Sequence, residues 1–404
     1  MTRTSPVIVA AVTLLLFLPS YLAADQVRLV VGKDAPDLER FAAHELASQF
    51  ARLFDVEITV ADDDFPGGKH VILIGSPATN RVVGKVAGRD WPKLSDQGIV
   101  LRSFDHDGSS GLVVGGGSPV AILWAAYELG YRFGIRYLLR GDIFPPGTRP
   151  MKLDNIDVVM EPTLRSRTWR TVDDFAIGPE SWGLAQHKIV LGQLAKMKFN
   201  RMMLSFYPWH PFVHYEFAGV KKKTATLWFG EEFPILRDMP GGNVFGDAKL
   251  FYNPDLAGKN SYEALTAAGI ELIRGIMREA RRLGMKVAIS IRPAEFTHEF
   301  AAALPGLKSV NQLNNLTIGP AAKHGPNDAT LKKLVAAKIR AYINTYPALD
   351  AICIGLPEFP EWDEHVESAW EDLSADGRLG DLTLGQLTET AAKRNLIASG
   401  DRGV

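Results

Sequence analysis

Apolar positions in the first third of the chain recur in two rhythms. Short apolar runs at Val27 to Gly32, Val56 to Val60, His70 to Gly75, Gln97 to Ser103 and Gly111 to Gly115 have the length of strands. The stretch Asp37 to Leu53 instead puts Leu38, Phe41, Ala42, Leu46, Phe50 and Leu53 on one helical face. A second helix is predicted over Val120 to Phe133, entered through Gly115-Gly116-Gly117-Ser118-Pro119, with Ser118 as N-cap and Pro119 at the first helical position. Together these predict an α+β sandwich domain over 25–150. The glycine run lacks the lysine and hydroxyl of a phosphate loop and the spacing of a dinucleotide fingerprint, so it reads as a tight turn.

Pro145-Pro146-Gly147, Pro150 and Glu161-Pro162 punctuate a change of rhythm. Beyond them, continuous apolar strands alternate with long amphipathic helices. Strands are predicted at Arg165 to Val172, Arg201 to Phe206, Lys286 to Arg292 and Ala351 to Leu356. Helices are predicted at Leu184 to Met197, Tyr262 to Leu283, Thr330 to Tyr346 and Leu382 to Asn395. The third of these puts Leu331, Leu334, Val335, Ile339, Tyr342 and Ile343 on one face. Strands without alternation, separated by such helices, form a parallel sheet buried on both faces. The fold class is therefore α/β, with a TIM-barrel-like (β/α) region over 160–404 in which four units are recognisable.

The extreme N-terminus has a different pattern. Arg3 precedes an apolar run from Val7 to Leu18, and Leu22-Ala23-Ala24 precede Asp25, the three regions of a secretory signal peptide over 1–24. The run is shorter than the ~20 residues of a bilayer span, so export to the periplasm or medium is expected, without a stable membrane span. Composition alters this picture little. Forty-five Lys+Arg against 46 Asp+Glu leave no basic field for a nucleic acid. One cysteine, Cys353, excludes an intramolecular disulfide framework and any multi-cysteine zinc site.

In a parallel α/β region, chemistry gathers just beyond the C-terminal ends of the strands. There the sequence offers Trp169, Arg170, Asp173 and Asp174 after strand one, and Tyr207, Trp209, His210 and His214 after strand two. Strand three contributes Arg292 and Glu295, and strand four Glu358, Glu361 and Trp362. Indoles beside carboxylates and guanidiniums suit a sugar, whose apolar ring face stacks while its hydroxyls take charged partners. Glu358, after an apolar strand, is the candidate general acid for a glycosidic oxygen. Arg170, Trp209, His210, Arg292, Glu295, Glu361 and Trp362 are candidate substrate contacts, with Asp173 or Glu295 as the second carboxylate. His210 and His214 sit among prolines with no third ligand at motif spacing, so no metal and no cofactor are expected. Asp62-Asp63-Asp64 before Phe65-Pro66 lacks a calcium-loop pattern and reads as a solvated turn.

Several segments carry a family resemblance. Ala43-His44-Glu45-Leu46-Ala47, His70 to Gly75, Gly115 to Ser118 leading to Ala125-Ala126-Tyr127-Glu128-Leu129, and Gly134-Ile135-Arg136-Tyr137 are the segments concerned. They resemble the small α+β domain that precedes the barrel in bacterial β-N-acetylhexosaminidases (chitobiases) and α-glucuronidases. Lys196-Met197-Lys198-Phe199-Asn200 looks like the link to strand two of their catalytic barrel. The resemblance implies that Arg170 holds hydroxyls of the terminal sugar and that Glu358 is the strand-four acid. One departure matters. Those hexosaminidases have an Asp immediately before the acid, and here Pro357 stands there.

A (β/α)8 barrel takes about 250 residues, a length that 160–404 provides with half the strands. A truncated or split glycosidase is therefore expected, with self-association through the open barrel edge. The expected function is an exported glycoside hydrolase, or the N-terminal portion of one, cleaving terminal sugars of a polysaccharide. The alternative is a non-catalytic carbohydrate-binding or scaffold protein derived from one.

Overall fold

The structure, a computed structural model, describes residues 26–54, 56–63, 68–147, 150–171, 178–227, 232–236, 238, 247–309, 316–320, 324–325, 327–355, 366–375, 377 and 379–394. The chain divides into two compact units, one made of Met1–Ile135 and Phe144–Glu161, the other of Arg136–Ile143 and Pro162–Val404. The expected signal peptide lies outside the described residues.

The first unit runs β1 (Gln26–Val31), α1 (Asp37–Phe54), β2 (Glu57–Asp62), β3 (Val71–Ile74), α2 (Arg81–Ala87), β4 (Ile99–His106), β5 (Ser109–Gly116) and α3 (Pro119–Arg132). The hairpin β6 (Arg136–Leu138) and β7 (Gly141–Ile143) belongs to the second unit, and β8 (Asp157–Met160) returns to the first. The sheet order is β2-β1-β3-β5-β4-β8. Neighbours are parallel from β2 to β5, and β4 and β8 are antiparallel. Pairing puts Val30, Leu73 and Val113 in one row, and that row packs with Val83 and Ala87 of α2. Ser118 accepts the N–H of Ala121 as the N-cap of α3, with Pro119 at the first position. The glycine run is a packing necessity: a Cβ on Gly117 would lie 1.8 Å from the Ser95 carbonyl oxygen.

One side chain fastens three elements of this unit. Asn80, fully buried, donates from Nδ2 to the carbonyls of Val30 and Ile74, each at 3.0 Å. Its Oδ1 accepts the N–H groups of Val82 (2.9 Å) and Val83 (3.2 Å) as N-cap of α2. Asp63 corrects the solvated-turn expectation. It is buried and accepts the N–H groups of Lys33 (3.0 Å) and Arg81 (2.9 Å). Burial pushes its pKa up, but those backbone donors and the Arg81 guanidinium outweigh burial and hold it below the usual aspartate value.

The second unit carries a four-stranded parallel sheet of β9 (Thr168–Arg170), β10 (Arg201–Phe206), β11 (Lys286–Ile291) and β12 (Ala351–Ile354). The strands lie side by side in chain order, the arrangement of a barrel sector, and all three pairings are parallel. Helices α4 (Leu184–Lys196), α5 (Tyr262–Arg282) and α6 (Ala329–Thr345) are the crossovers; α7 (Val366–Ala375) and α8 (Leu384–Lys393) follow. The first strand is shorter than the apolar run predicts. Its register is held instead by Asn200, whose Oδ1 accepts the Arg167 N–H at 2.8 Å and whose Nδ2 donates to the Arg165 carbonyl at 2.8 Å.

The helix-facing side of the sheet is apolar and includes Leu204, Phe206, Ile289 and Ile291, all buried. Phe206 stacks on Tyr342 of α6 at 5.9 Å. The packed stripe of α6 is Leu331, Leu334, Lys338 and Tyr342. It is rotated from the predicted face, and Ile343 points out at 49% exposure. On β12, Cys353 and Ile354 are exposed, and β11 is its one sheet neighbour among the described residues.

Replacing Asn80 with Leu leaves two buried carbonyls and two N–H groups without donor or acceptor, at a cost of about 1–3 kcal/mol each before relaxation. The expected outcome is a first unit destabilised by at least about 3 kcal/mol. Urea unfolding followed by far-ultraviolet circular dichroism measures it; a change below about 1 kcal/mol contradicts the fastening role.

Candidate functional site

Successive strand residues face opposite ways and paired residues face alike. Arg170, Met203, Ser205, Ser290 and Cys353 therefore share the sheet face opposite Leu204 and Ile289. This face is polar toward its C-terminal rim. Arg170 is exposed, with Nε donating to Ser205 Oγ at 3.1 Å. Ser205 is held in turn. Its Oγ donates to the Thr171 carbonyl at 2.8 Å, and its N–H donates to Thr171 Oγ1 at 2.9 Å. The rim arginine thus rests on a serine fixed by two further bonds to the neighbouring strand.

The loop after β10 turns inward. Tyr207 and Trp209 stack ring on ring at 4.6 Å and 5°. Trp209 is 0% exposed, so its indole packs in the interior. His210 is also interior. Its Nδ1 accepts the Tyr207 N–H at 3.2 Å, which leaves Nε2 as the donor to Glu180 Oε2 at 2.8 Å. Both side chains of that pair are shielded from water, so the imidazole ties the loop to Glu180 in the interior. Pro208 and Pro211 suggested an irregular loop, but the partner, Glu180, comes from a short 3-10 turn before α4, a long-range match no local pattern reveals.

After β11, the Arg292 guanidinium lies 4.4 Å over the Tyr207 ring and is 21% exposed. Arg292, Tyr207 and Trp209 thus form one pile whose outer member reaches the rim. Glu295 is not a rim carboxylate. It is 0% exposed, 3.4 Å from Arg292 Nε, and accepts from Thr317 Oγ1 at 3.4 Å. Burial raises its pKa, opposed by Arg292, Lys338 and Thr317. That placement removes it as a solvent-facing second carboxylate. Asp173, Glu358, Glu361 and Trp362 lie outside the described residues, so the structure brings together Arg170 with Ser205, and Arg292 with Tyr207, Trp209 and Glu295. Among the described residues, no cluster of three or more His, Cys, Asp or Glu could hold a metal. Nor is any helix long and apolar enough to cross a membrane.

Two buried lysines behind this rim escaped the sequence reading. Lys222 Nζ donates to the carbonyls of His210 (2.6 Å) and Val213 (3.2 Å). Lys338 Nζ donates to those of Arg292 (2.7 Å) and Glu295 (2.5 Å). Each is 1% exposed. Burial pushes both amines down to about 7; for Lys222 the nearby Lys338 adds to it and Glu299 opposes, and for Lys338 Glu295 opposes while Arg292 adds. A neutral amine keeps two N–H donors, enough for two carbonyls, so the bonds do not require the charge. The legible signal for Lys338 was a lone cation in the stripe Leu331, Leu334, Tyr342.

No family model matches the chain, and no curated protein matches it. Solved structures similar to it include a GH138 enzyme targeting pectin rhamnogalacturonan II, at 14% identity and TM-score 0.47, covering 88% of this chain and 44% of that one. A GH115 4-O-methyl-α-glucuronidase with specificity for decorated arabinogalactans matches at 14% identity and TM-score 0.42, covering 81% and 41%. The GH20 exo-β-N-acetylglucosaminidase from Vibrio harveyi, in complex with N-acetylglucosamine, matches at 12% identity and TM-score 0.41, covering 86% and 46%. The chain spans less than half the length of these structures.

The lysines make stability depend on pH. Unfolded lysines titrate near 10.5 and Lys222 and Lys338 near 7, so between those values the unfolded chain binds more protons and stability climbs as pH rises. Above about pH 10 the sign reverses, because unfolded tyrosines ionise while burial pushes Tyr262 up to about 12 and raises Tyr215, Tyr342 and Tyr346 as well. The urea midpoint is expected to rise between about pH 7 and pH 9, and less steeply in Lys222→Met. Equal slopes in the two proteins would remove Lys222 as a source of the dependence.

Proposed function

We propose that this chain is an exported, glycosidase-type protein acting on terminal sugars of a polysaccharide. The observation that carries the reading is the polar, arginine-bearing C-terminal rim of the parallel sheet. Arg170 stands exposed on Ser205, and Arg292 reaches the rim from an aromatic pile. Guanidiniums so held present fixed donors to hydroxyl or carboxylate oxygens of a saccharide. Glu358, which the sequence puts just past β12, is the proposed general acid. It would protonate the leaving glycosidic oxygen, with Asp173 as the proposed second carboxylate and Glu361 and Trp362 as further sugar contacts. Residues 1–24 are the proposed export signal. In this reading Trp209, His210 and Glu295 shape the loops instead of touching the sugar.

A second reading, a carbohydrate-binding protein without turnover, also has an observation in its favour. The one rim-region carboxylate beside Arg292 among the described residues, Glu295, is shut away from solvent. One experiment separates the two. Aryl glycosides of N-acetylglucosamine, glucuronic acid and common hexoses are screened with the wild type and with Glu358→Gln. Hydrolysis that falls about 100-fold or more in the variant is the expected result. Turnover that survives the substitution removes Glu358 from its role, and saccharide binding without turnover in either protein favours the second reading.

A further inference from the structure

Lys338 occupies a position on α6 where packing alone would select an apolar side chain, between Leu334 and Tyr342 on the stripe that faces the sheet. Burying an amine there is costly unless its donors are used. They are used on two carbonyls of a single turn, Arg292 at 2.7 Å and Glu295 at 2.5 Å. That turn is poorly supplied otherwise. Pro293 has no N–H to offer, and the Glu295 N–H reaches the Arg292 carbonyl only at 3.4 Å. The same two residues carry the side chains that meet beside the rim, 3.4 Å apart, and the Arg292 guanidinium is set over Tyr207.

We propose that Lys338 is a positioning residue of the candidate site: by gripping the carbonyls of Arg292 and Glu295 from behind, it aims the Arg292 guanidinium along Tyr207 to the rim. Lysine suits this task for a physical reason. Its long stem crosses the apolar layer between helix and sheet, and its compact head can serve two carbonyls at once. A methionine of similar length fills the space and grips nothing. The role in ligand binding rests on the proposed function of the rim, but the aim of Arg292 is measurable without any ligand.

The test is the rate at which phenylglyoxal modifies each arginine of the folded protein, read residue by residue by mass spectrometry. In Lys338→Met, Arg292 is expected to react about fivefold faster or more, the factor that losing one such bond allows. Arg170 and Arg167 on the neighbouring strand segment keep their wild-type rates. Lys338→Arg, which retains donors on a long stem, brings Arg292 back toward the wild-type rate. An unchanged Arg292 rate in Lys338→Met, or an equal rise at all three arginines, overturns the proposal, because a lysine that merely holds the fold together gives one of those two results. If Lys338→Met does not fold, Lys338→Gln, whose shorter amide cannot span both carbonyls, is read in the same way. Failure of every glycoside to be hydrolysed leaves this result standing, and failure here leaves the glycosidase reading intact.

Discussion

Parallel strands that end inside a protein leave the turns beyond them with carbonyls that no ladder partner answers and no water reaches. Both units meet this constraint in the same way, with one buried polar side chain spanning two carbonyls. Asn80 does so for Val30 and Ile74, Lys222 for His210 and Val213, and Lys338 for Arg292 and Glu295. Asn80 also supplies an acceptor for the start of α2, which a lysine could not do. The settings differ. The Asn80 amide meets carbonyls at the ends of two strands beside the start of α2, the Lys222 amine bonds carbonyls of its own loop, and the Lys338 stem reaches from a helix across an apolar layer to a loop.

The lysine solution has an electrostatic consequence that the asparagine lacks. Beyond burial, Lys338 pushes the Lys222 amine down and Glu299 opposes, while for Lys338 itself Glu295 opposes and Arg292 pushes it down. The loops after the second and third strands are thus coupled through their fasteners as well as through the stacking of Arg292 on Tyr207. The rim arginine and the buried carboxylate beside it are parts of one balance of desolvation and charge. Arg170, at the first strand, rests instead on the Ser205 hydroxyl, to which its Nε donates.

Much of the framework was legible because it rests on local periodicity. The capped start of α3 at Ser118-Pro119 and the strand Arg201–Phe206 follow from spacing and cap chemistry alone. The short helix α2, the edge strand β8 and the hairpin β6–β7 did not show, being too short for a period to declare itself. At the site, the burial of Trp209, His210 and Glu295 was not legible in the sequence. Trp209 and His210 looked like ligand contacts because nothing in Tyr207-Pro208-Trp209-His210 announces that Tyr207 will cover the indole or that Glu180 will reach the imidazole. The buried stripe of α6 is rotated from the predicted face because Lys338 packs inside it where a purely apolar pattern passes it over. For His210 the deciding partner, Glu180, is distant in sequence, and no local pattern announces it.

The hairpin Arg136–Ile143 belongs to one unit while the residues on either side of it, through Ile135 and from Phe144, belong to the other. As the chain emerges from the ribosome, the sheet of the first unit is therefore still without its last strand when α3 is complete. It waits for β8, which pairs with the edge of β4, while the hairpin between them has to wait longer still for α4, whose Gln193 and Lys196 bind Leu138 and Asp142. The two units are thus interleaved in time of synthesis, and a nick or insertion between Leu138 and Gly141 would interrupt the assembly of the later unit in the middle of building the earlier one.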